Sequence, residues 1–467
     1  KLLLQQLGEK LQCFKRAIRM KKFFESLSNV WKIEELKNRI LVTLGLLLVY
    51  RFGAHVTLPG IDATQLTGLA GQTKEGIGSI LDMFTGGAFS KASVFALGIM
   101  PYISASIVVQ LMGIAIPYLQ TLQSDGESGR KKINQITRWL TIGITLVQGP
   151  TYIYNLYRTL PSNAFLLGFN SFEFLFSSVV ILVTGTIFAM WLGEKITDKG
   201  IGNGISLLIM VGILARFPQA FIQEFTTRVT NNNGGLMLLV IEVIIWMLVI
   251  ISCVLLVMAV RKIPVQYARR TTSGDFEQDM LGGNRQWIPL KLNASGVMPI
   301  IFAQAIMFIP AAVAGLSKSE TSQTIVSAFS DIFGFWYNFV FASLIVIFTF
   351  FYTAITVPTN KMSDDLKRSG GFIPGVRPGA ETSDYLDKVM SLITFPGSLF
   401  LALIAVFPAI VVSLMDVQQS WAMFFGGTSL IIMVGVAIDT MQQINSYLLN
   451  KHYDGLMKSG KNRKAVA

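Results

Sequence analysis

Charge is scarce in this chain. Only 14% of its 467 residues are Asp, Glu, Lys or Arg, against about 25% in soluble globular proteins, so most of its surface is not built to face water. Histidine is nearly absent. His55 and His452 stand far apart in sequence, which argues against a metal site of ordinary type. Cysteine is equally rare: Cys13 lies in a basic arm and Cys253 inside an apolar run, so neither a disulfide nor thiol redox chemistry is expected. Ionisable residues inside membrane spans usually mark transport chemistry. Here the deep ones reduce to Glu242, with Arg51 and Asp439 toward span ends and Glu194 and Lys195 at a boundary. A proton-relay series, paired membrane carboxylates and a membrane Ser–His pair are all missing, so no catalytic residue, cofactor site or metal site is assigned.

What the chain has instead is apolar length. Hydrophobic residues make up 52%, and runs of 18 or more recur, each able to cross a hydrocarbon core of roughly 30 Å. Ten spans are read at 38–56, 89–115, 137–157, 172–193, 204–223, 235–260, 294–315, 334–357, 387–413 and 421–443. Backbone polar groups in lipid must be satisfied within the segment, so the spans are helices and the expected class is an all-α integral membrane protein. An even number leaves both termini on one side.

The net charge is +12. In a soluble protein that would raise nucleic acid as a partner, but most of the 39 basic residues fall in the N-terminal arm, the even-numbered loops and the C-terminal tail. That skew puts both termini in the cytoplasm. Residues 1–37 form a basic amphipathic arm without an apolar stretch placed like a signal peptide. Met20-Lys21-Lys22-Phe23-Phe24 reads as a natural start, so residues 1–19 are treated as an extension without function. The tail runs over 444–467. Two cytoplasmic loops, 261–292 and 358–386, are long for a compact bundle, and such loops are often functional. Docking of a cytosolic partner is expected there in addition to setting topology.

The sequence also repeats itself. Gly98-Ile99-Met100-Pro101-Tyr102-Ile103-Ser104-Ala105 resembles Gly296-Val297-Met298-Pro299-Ile300-Ile301-Phe302-Ala303, and Ser206-Leu207-Leu208-Ile209-Met210-Val211-Gly212 resembles Ser429-Leu430-Ile431-Ile432-Met433-Val434-Gly435. The offsets are 198 and 223 residues, each five spans. Spans five apart cross the membrane in opposite directions, so the repeat predicts two inverted five-helix halves, 38–223 and 224–443. Such folds place the working site where the halves meet.

The repeated words put Ile103 with Ile301 and Ile209 with Ile432, while Ile107 and Ile205 lie four residues from members of that set. Isoleucine in a membrane helix is usually packing or lipid-facing. The functional alternative is a ring of aliphatic side chains at a constriction, which closes a pore by dewetting. Residues 77–84 are apolar but too short to span, and Thr85-Gly86-Gly87-Ala88 follows as a flexible joint. This segment reads equally as an interfacial helix or as a plug under the constriction. Gly200-Ile201-Gly202-Asn203-Gly204 has no strand or βαβ context for a nucleotide loop and reads as a helix break.

With these motifs in hand, the chain resembles bacterial SecY proteins over about residues 20–460. The markers are Leu58-Pro59-Gly60-Ile61-Asp62, Gly86-Gly87-Ala88, the run from Ala96 to Ser106, Gly126-Glu127-Ser128-Gly129-Arg130, Trp191-Leu192-Gly193-Glu194, the break at 200–204, Pro289-Leu290-Lys291-Leu292-Asn293, Gly375-Val376-Arg377-Pro378-Gly379 and Phe425-Gly426-Gly427-Thr428-Ser429. The resemblance implies a protein-conducting channel in the bacterial cytoplasmic membrane, passive and not an enzyme. It would pass unfolded secretory proteins and release transmembrane segments sideways. The implied pore ring is Ile103, Ile107, Ile205, Ile209, Ile301 and Ile432, and the plug is about 77–88, including Ile80, Leu81, Met83 and Phe84. A lateral gate would open between the second and third spans and the seventh and eighth to admit signal peptides. Gln148 and Asn293 are expected polar gate residues. Arg269, Arg270, Lys367, Arg368 and above all Arg377 would dock the ribosome or the SecA motor ATPase, and SecE and SecG would be partner subunits. One departure stands out: the tip Thr271–Trp287 carries Asp275, Glu277 and Asp279 where basic residues are common.

Two other classes bear on the same residues. A secondary transporter with an inverted repeat would need a polar midplane site, for which Glu242 is the candidate. An intramembrane enzyme would need a nucleophile or metal ligands, which the sequence does not offer.

Overall fold

The computed structural model describes residues 31, 33–66, 77–161, 164–165, 171–230, 235–267, 285–314 and 331–464. The arm over 1–30, the tip over 268–284 with Arg269 and Arg270, the tail end over 465–467 and the Ile80 side chain lie outside what is described. The helices are α1 (Glu34–Gly53), α2 (Ile77–Phe84), α3 (Met100–Ala115), α4 (Pro117–Ser124), α5 (Gly126–Thr159), α6 (Ser171–Lys199), α7 (Gly204–Thr230) and α8 (Gly235–Met258). Strands β1 (Val260–Tyr267) and β2 (Arg285–Lys291) follow, then α9 (Met298–Ala314), α10 (Phe335–Thr356), α11 (Thr359–Arg368), β3 (Gly371–Phe372), α12 (Ala380–Met415), α13 (Gln419–Ala422) and α14 (Gly427–Lys464).

A helix lies over each of the ten segments read as spans, namely α1, α3, α5 to α10, α12 and α14. Among the described residues, six helical stretches are by themselves long and apolar enough to cross a bilayer, the most apolar being α8 with a mean hydropathy of 3.0. The bent pair α3–α4 would make a seventh. Its bend of 103° falls where Pro117 follows Ile116, held extended because a residue before proline is pushed out of the helical region.

The second span starts later than the expected residue 89. Residues 85–99 are turns, and α3 begins only at Met100. Gly86, Gly87, Ala92 and Gly98 all take positive φ, which no helix tolerates in succession. The segment is laid instead along 56–58, through Val94 N–H to the Val56 carbonyl at 2.9 Å and Leu58 N–H to the Ala92 carbonyl at 2.8 Å.

The protein is not all-α. The described parts of loop 261–292 form two antiparallel strands, Val260 opposite Lys291 through Gln266 opposite Arg285. A second loop adds β3 to the other edge of β1, giving the strand order β2-β1-β3. The two long loops are therefore one unit. It has its own apolar core of Ile263, Val265, Leu290, Leu366, Ile373, Leu386 and Met390.

Packing within the bundle follows small residues, as membrane helices require when lipid is as apolar as leucine. On α5 the buried positions Thr137, Thr141, Thr145 and Gly149 recur every fourth residue, and each threonine hydroxyl donates to the carbonyl four residues back. The hydroxyls are thus satisfied within the helix, and the stripe is left narrow. The well-packed neighbours run in series: α3 on α5, α5 on α6, α6 on α7, α7 on α8 and α14, both of these on α12, then α12 on α10 and α10 on α9. The series begins at α3 and ends at α9.

Candidate functional site: an apolar constriction and the short helix against it

The repeated words reappear as geometry. Helices α3 and α9 begin at Met100 and Met298, each two residues after a left-handed glycine, Gly98 at φ +54° and Gly296 at φ +63°. A proline follows at once in each, Pro101 and Pro299, where its missing N–H is harmless in a first turn. Helices α7 and α14 both begin at a glycine with the matching serine two residues on.

The six isoleucines stand on four helices: Ile103 and Ile107 on α3, Ile205 and Ile209 on α7, Ile301 on α9 and Ile432 on α14. Ile209 and Ile432 belong to one buried cluster that also holds Met83 and Phe84 of α2, and Ile103 and Ile205 pack against it. Ile107 is buried and Ile301 half-buried outside that cluster. Ile205 leans on α6, where a Cβ at Gly193 would lie 2.9 Å from its Cγ1. Four of the six thus lie in or against the same large buried cluster as Met83 and Phe84, and the other two lie outside it.

Helix α2 is tied down on several sides. It ends in a Schellman arrangement, with Gly87 N–H bonded to the Asp82 carbonyl at 2.8 Å and Gly86 N–H to that of Met83 at 3.1 Å. The glycines expected to be a flexible joint are instead fitted. A Cβ on Gly86 would stand 2.6 Å from Arg51 Nη1 and 2.8 Å from Gly212 Cα, and one on Gly87 would stand 3.0 Å from the Arg216 guanidinium. Arg51 Nη1 donates to the Gly86 carbonyl at 3.1 Å. Leu81 packs into the neighbouring core of Leu58, Ile61, Phe89 and Tyr152, while Met83 and Phe84 face the constriction cluster.

The site is not free of charge, as the sequence led one to expect. Arg216, inside the fifth expected span, pairs with Asp82 on α2. Farther along α7, Arg228 donates to Glu224 and to Glu242 at 2.8 Å each, and to the Met415 carbonyl at the end of α12 at 2.8 Å. Glu224 in turn accepts the Gln418 N–H at 3.0 Å. All three ionisable side chains are buried. Glu242 is therefore one arm of a structural ion-pair knot. Arg138 holds Glu194 through both carboxylate oxygens, at 3.2 and 2.5 Å, joining α5 to α6.

Gln148 is exposed on α5, and Asn293 is buried in the turn before α9 rather than within a helix. Ser295 donates to Asn293 at 3.2 Å, and no hydrogen bond joins Asn293 to Gln148 among the described residues. Among the described residues a polar contact joins α3 to α10 elsewhere: Tyr352 O–H donates to Gln110 Oε1 at 3.4 Å.

On the sheet-bearing face, Arg377 is 88% exposed, 3.8 Å from Glu381. Its turn is pinned by Thr382, donating to the Arg377 carbonyl at 2.8 Å, and by Ser363, donating to that of Gly379 at 2.6 Å. Gly375 and Gly379, at φ +86° and +117°, allow the tight reversals on either side. Lys367 and Arg368 are exposed in the last turn of α11.

The SecY family model matches residues 93–441. The chain is 38% identical over 445 residues to the protein translocase subunit SecY of Thermotoga maritima, covering 94% of this chain and 99% of that protein. It is 39% identical over 427 residues to the same subunit of Escherichia coli K12, covering 91% and 94%. Among solved structures, one described as a protein conducting channel matches with a TM-score of 0.56 at 16% identity over 88% of this chain and 92% of that one. Sec61 in the canine ribosome-channel complex matches at 0.52 and 16% over the same shares. A third, on the SecY plug domain stabilising the closed state, matches at 0.58 and 17%, again over 88% and 92%. At such identities the likeness speaks for the fold.

Proposed function

The chain belongs to the SecY family of protein translocase channel subunits, and from that premise we propose that it is the central pore subunit of a Sec-type channel in a bacterial cytoplasmic membrane. Unfolded secretory proteins pass through its centre, and transmembrane segments leave sideways into lipid. Ten spans in two inverted halves, 38–223 and 224–443, surround the path, with both termini cytoplasmic. The observation that carries this reading is that Ile209 and Ile432 share one buried apolar cluster with Met83 and Phe84 of a helix too short to span, and that Ile103 and Ile205 pack against the same cluster. An apolar collar of this kind seals by dewetting and makes no bond that a passing chain must break.

In this reading Ile107 and Ile301 complete the ring, and α2 with 85–88 is the plug. The lateral gate lies between α3 and α5 on one side and α9 and α10 on the other, where the series of packed helices begins and ends. Gln148 and Asn293 act at that gate when it opens to a signal peptide. The three-stranded unit with Lys367, Arg368 and Arg377 docks the ribosome or the SecA ATPase, together with Arg269 and Arg270 of loop 261–292. Its fitted turn around Arg377 favours a rigid charged contact. SecE and SecG are the expected partner subunits, and energy comes from partners.

The test is crosslinking from the ring. With Cys13 and Cys253 replaced, a single cysteine at Ile209 should crosslink to a secretory protein arrested midway that carries its own single cysteine. One at Leu248, which is 65% exposed on α8, should not. Crosslinks from Leu248 alone would put the path outside the protein's centre.

A further inference from the structure

We propose that Asp82 and Arg216 form a charge latch that holds the plug helix closed, and that this pair sets how firmly a client must engage before the channel opens. The inference rests on the reading of α2 as a plug. Asp82 is on α2 and Arg216 on the channel wall, 134 residues apart in sequence. The Asp82 side chain is 11% exposed and that of Arg216 24%, and both carboxylate oxygens are engaged. Oδ1 accepts the Ser90 N–H at 2.8 Å, and Oδ2 accepts Arg216 Nη2. The same Nη2 donates to Ser90 Oγ at 2.8 Å, and Nη1 donates to Gln219 at 3.1 Å.

This geometry clips Asp82 between two fixed bodies. Ser90 lies in the turn segment laid along 56–58, which Tyr152 anchors by donating to the Phe89 carbonyl at 2.8 Å. Arg216 is rooted in α7, and its guanidinium lies flat on the backbone of Gly87, where a Cβ would stand 3.0 Å from three of its atoms. If α2 swings away, Asp82 leaves both partners at once. Arg216 keeps Ser90 and Gln219 but loses its counter-charge beside the neighbouring Arg51, which donates to Gly86 of the same turn.

Breaking a buried pair by neutralising one member leaves the other charge uncompensated. The apolar contacts of Met83 and Phe84 hold α2 in place without reference to charge. The ion pair adds a directional contact made only in the seated position, so it biases the closed state alone, as a switch must. A signal peptide that engages weakly then fails to open the channel, and one that engages strongly succeeds. The pair thus acts as a positioning element that grades clients by the strength of their engagement.

The test is a double-mutant cycle on the complete channel complex in planar bilayers. It uses Asp82→Asn, Arg216→Gln, the double variant, and a deletion of residues 77–84, each checked for intact assembly by size exclusion. Asn at 82 still accepts the Ser90 N–H, so the change removes charge and little else. Each single variant should raise resting ion conductance by about tenfold or more, and should raise export of a reporter with a shortened signal peptide. The double should rise no further than the larger single, because the two share one interaction. If the singles multiply, the residues act independently and the latch is rejected. If they leave conductance unchanged while the deletion raises it, the plug reading stands and the latch falls. If the deletion also changes nothing, the plug reading itself fails, and the latch with it. Should either single not assemble, Arg216→Lys keeps the charge but loses the fork and should conduct at rest as the unaltered channel does, while a conductance as high as that of the deletion would overturn the proposal.

Discussion

Arg228 illustrates how much a single buried cation can organise. It satisfies Glu224 one helical turn away, Glu242 on the next helix and a carbonyl at the end of α12, so it neutralises two carboxylates and a helix C-terminus together. Removing it leaves two buried anions facing each other. Arg228→Met is expected to destabilise by about 3–5 kcal/mol, the usual cost of breaking a buried pair. Glu242→Gln leaves Arg228 still paired with Glu224 and should cost far less. Thermal unfolding of the purified protein in detergent orders the two, and equal losses would deny the knot its proposed centre. Export in the Glu242→Gln variant should stay within about twofold of the unaltered protein. A carrier that protonates Glu242 in its cycle would instead lose transport, so this variant also separates channel from transporter. From the sequence, Glu242 was visible as a lone acid in an apolar run, but its role was not, because its partner cation sits 14 positions away at the far end of another helix. Arg216 was missed for the same reason: its partner lies in a segment too short to be counted among the spans.

At the scale of elements, the contact of α2 with α7 depends on the absence of a side chain. A Cβ at Gly212 would stand 2.6 Å from the Phe84 carbonyl, and a backbone oxygen cannot rotate out of the way. Gly212→Ala should therefore lift the end of α2, at an overpacking cost of about 1–3 kcal/mol. Amide hydrogen exchange through 81–88 should quicken by about tenfold or more. Gly143→Ala on α5, where a Cβ meets nothing within 4 Å, serves as the neutral control; matched exchange rates in the two variants would show that the close approach carries no weight. The helices themselves were legible as apolar runs because each satisfies its backbone alone. The three-stranded sheet was not, since β1 and β3 pair across more than a hundred positions and short strands carry little periodic signal. The late start of α3 was half legible. Gly86, Gly87 and Gly98 were in view, but the left-handed Ala92 was not, as it follows from the laying of this segment against 56–58.

At the scale of the molecule, the packed helix pairs run from α3 round to α9 and α10, and the Tyr352–Gln110 bond at 3.4 Å bridges α10 to α3. A gate that opens there must break it. Tyr352→Phe removes one neutral hydrogen bond, worth about 0.5–1.5 kcal/mol, so the open population should rise by up to about tenfold. With the native cysteines replaced, a cysteine at the buried Ile107 should then react several-fold faster with a water-soluble maleimide. Unchanged reactivity would place the opening elsewhere.

The sequence by itself determined that this is a multi-span membrane protein, that two of its apolar words recur, and which family it belongs to. These follow from local quantities: apolar run length, scarcity of charge, and short words recurring at offsets that the helix starts at Met100 and Met298 reproduce. Only the tertiary structure decided which polar groups meet. Asp82 with Arg216, Arg228 with Glu242, Tyr352 with Gln110 and β1 with β3 are all contacts between segments that no periodicity links. In an apolar bundle a polar group must find a partner or bear the cost of burial alone, and which partner lies within reach is settled by how the helices pack.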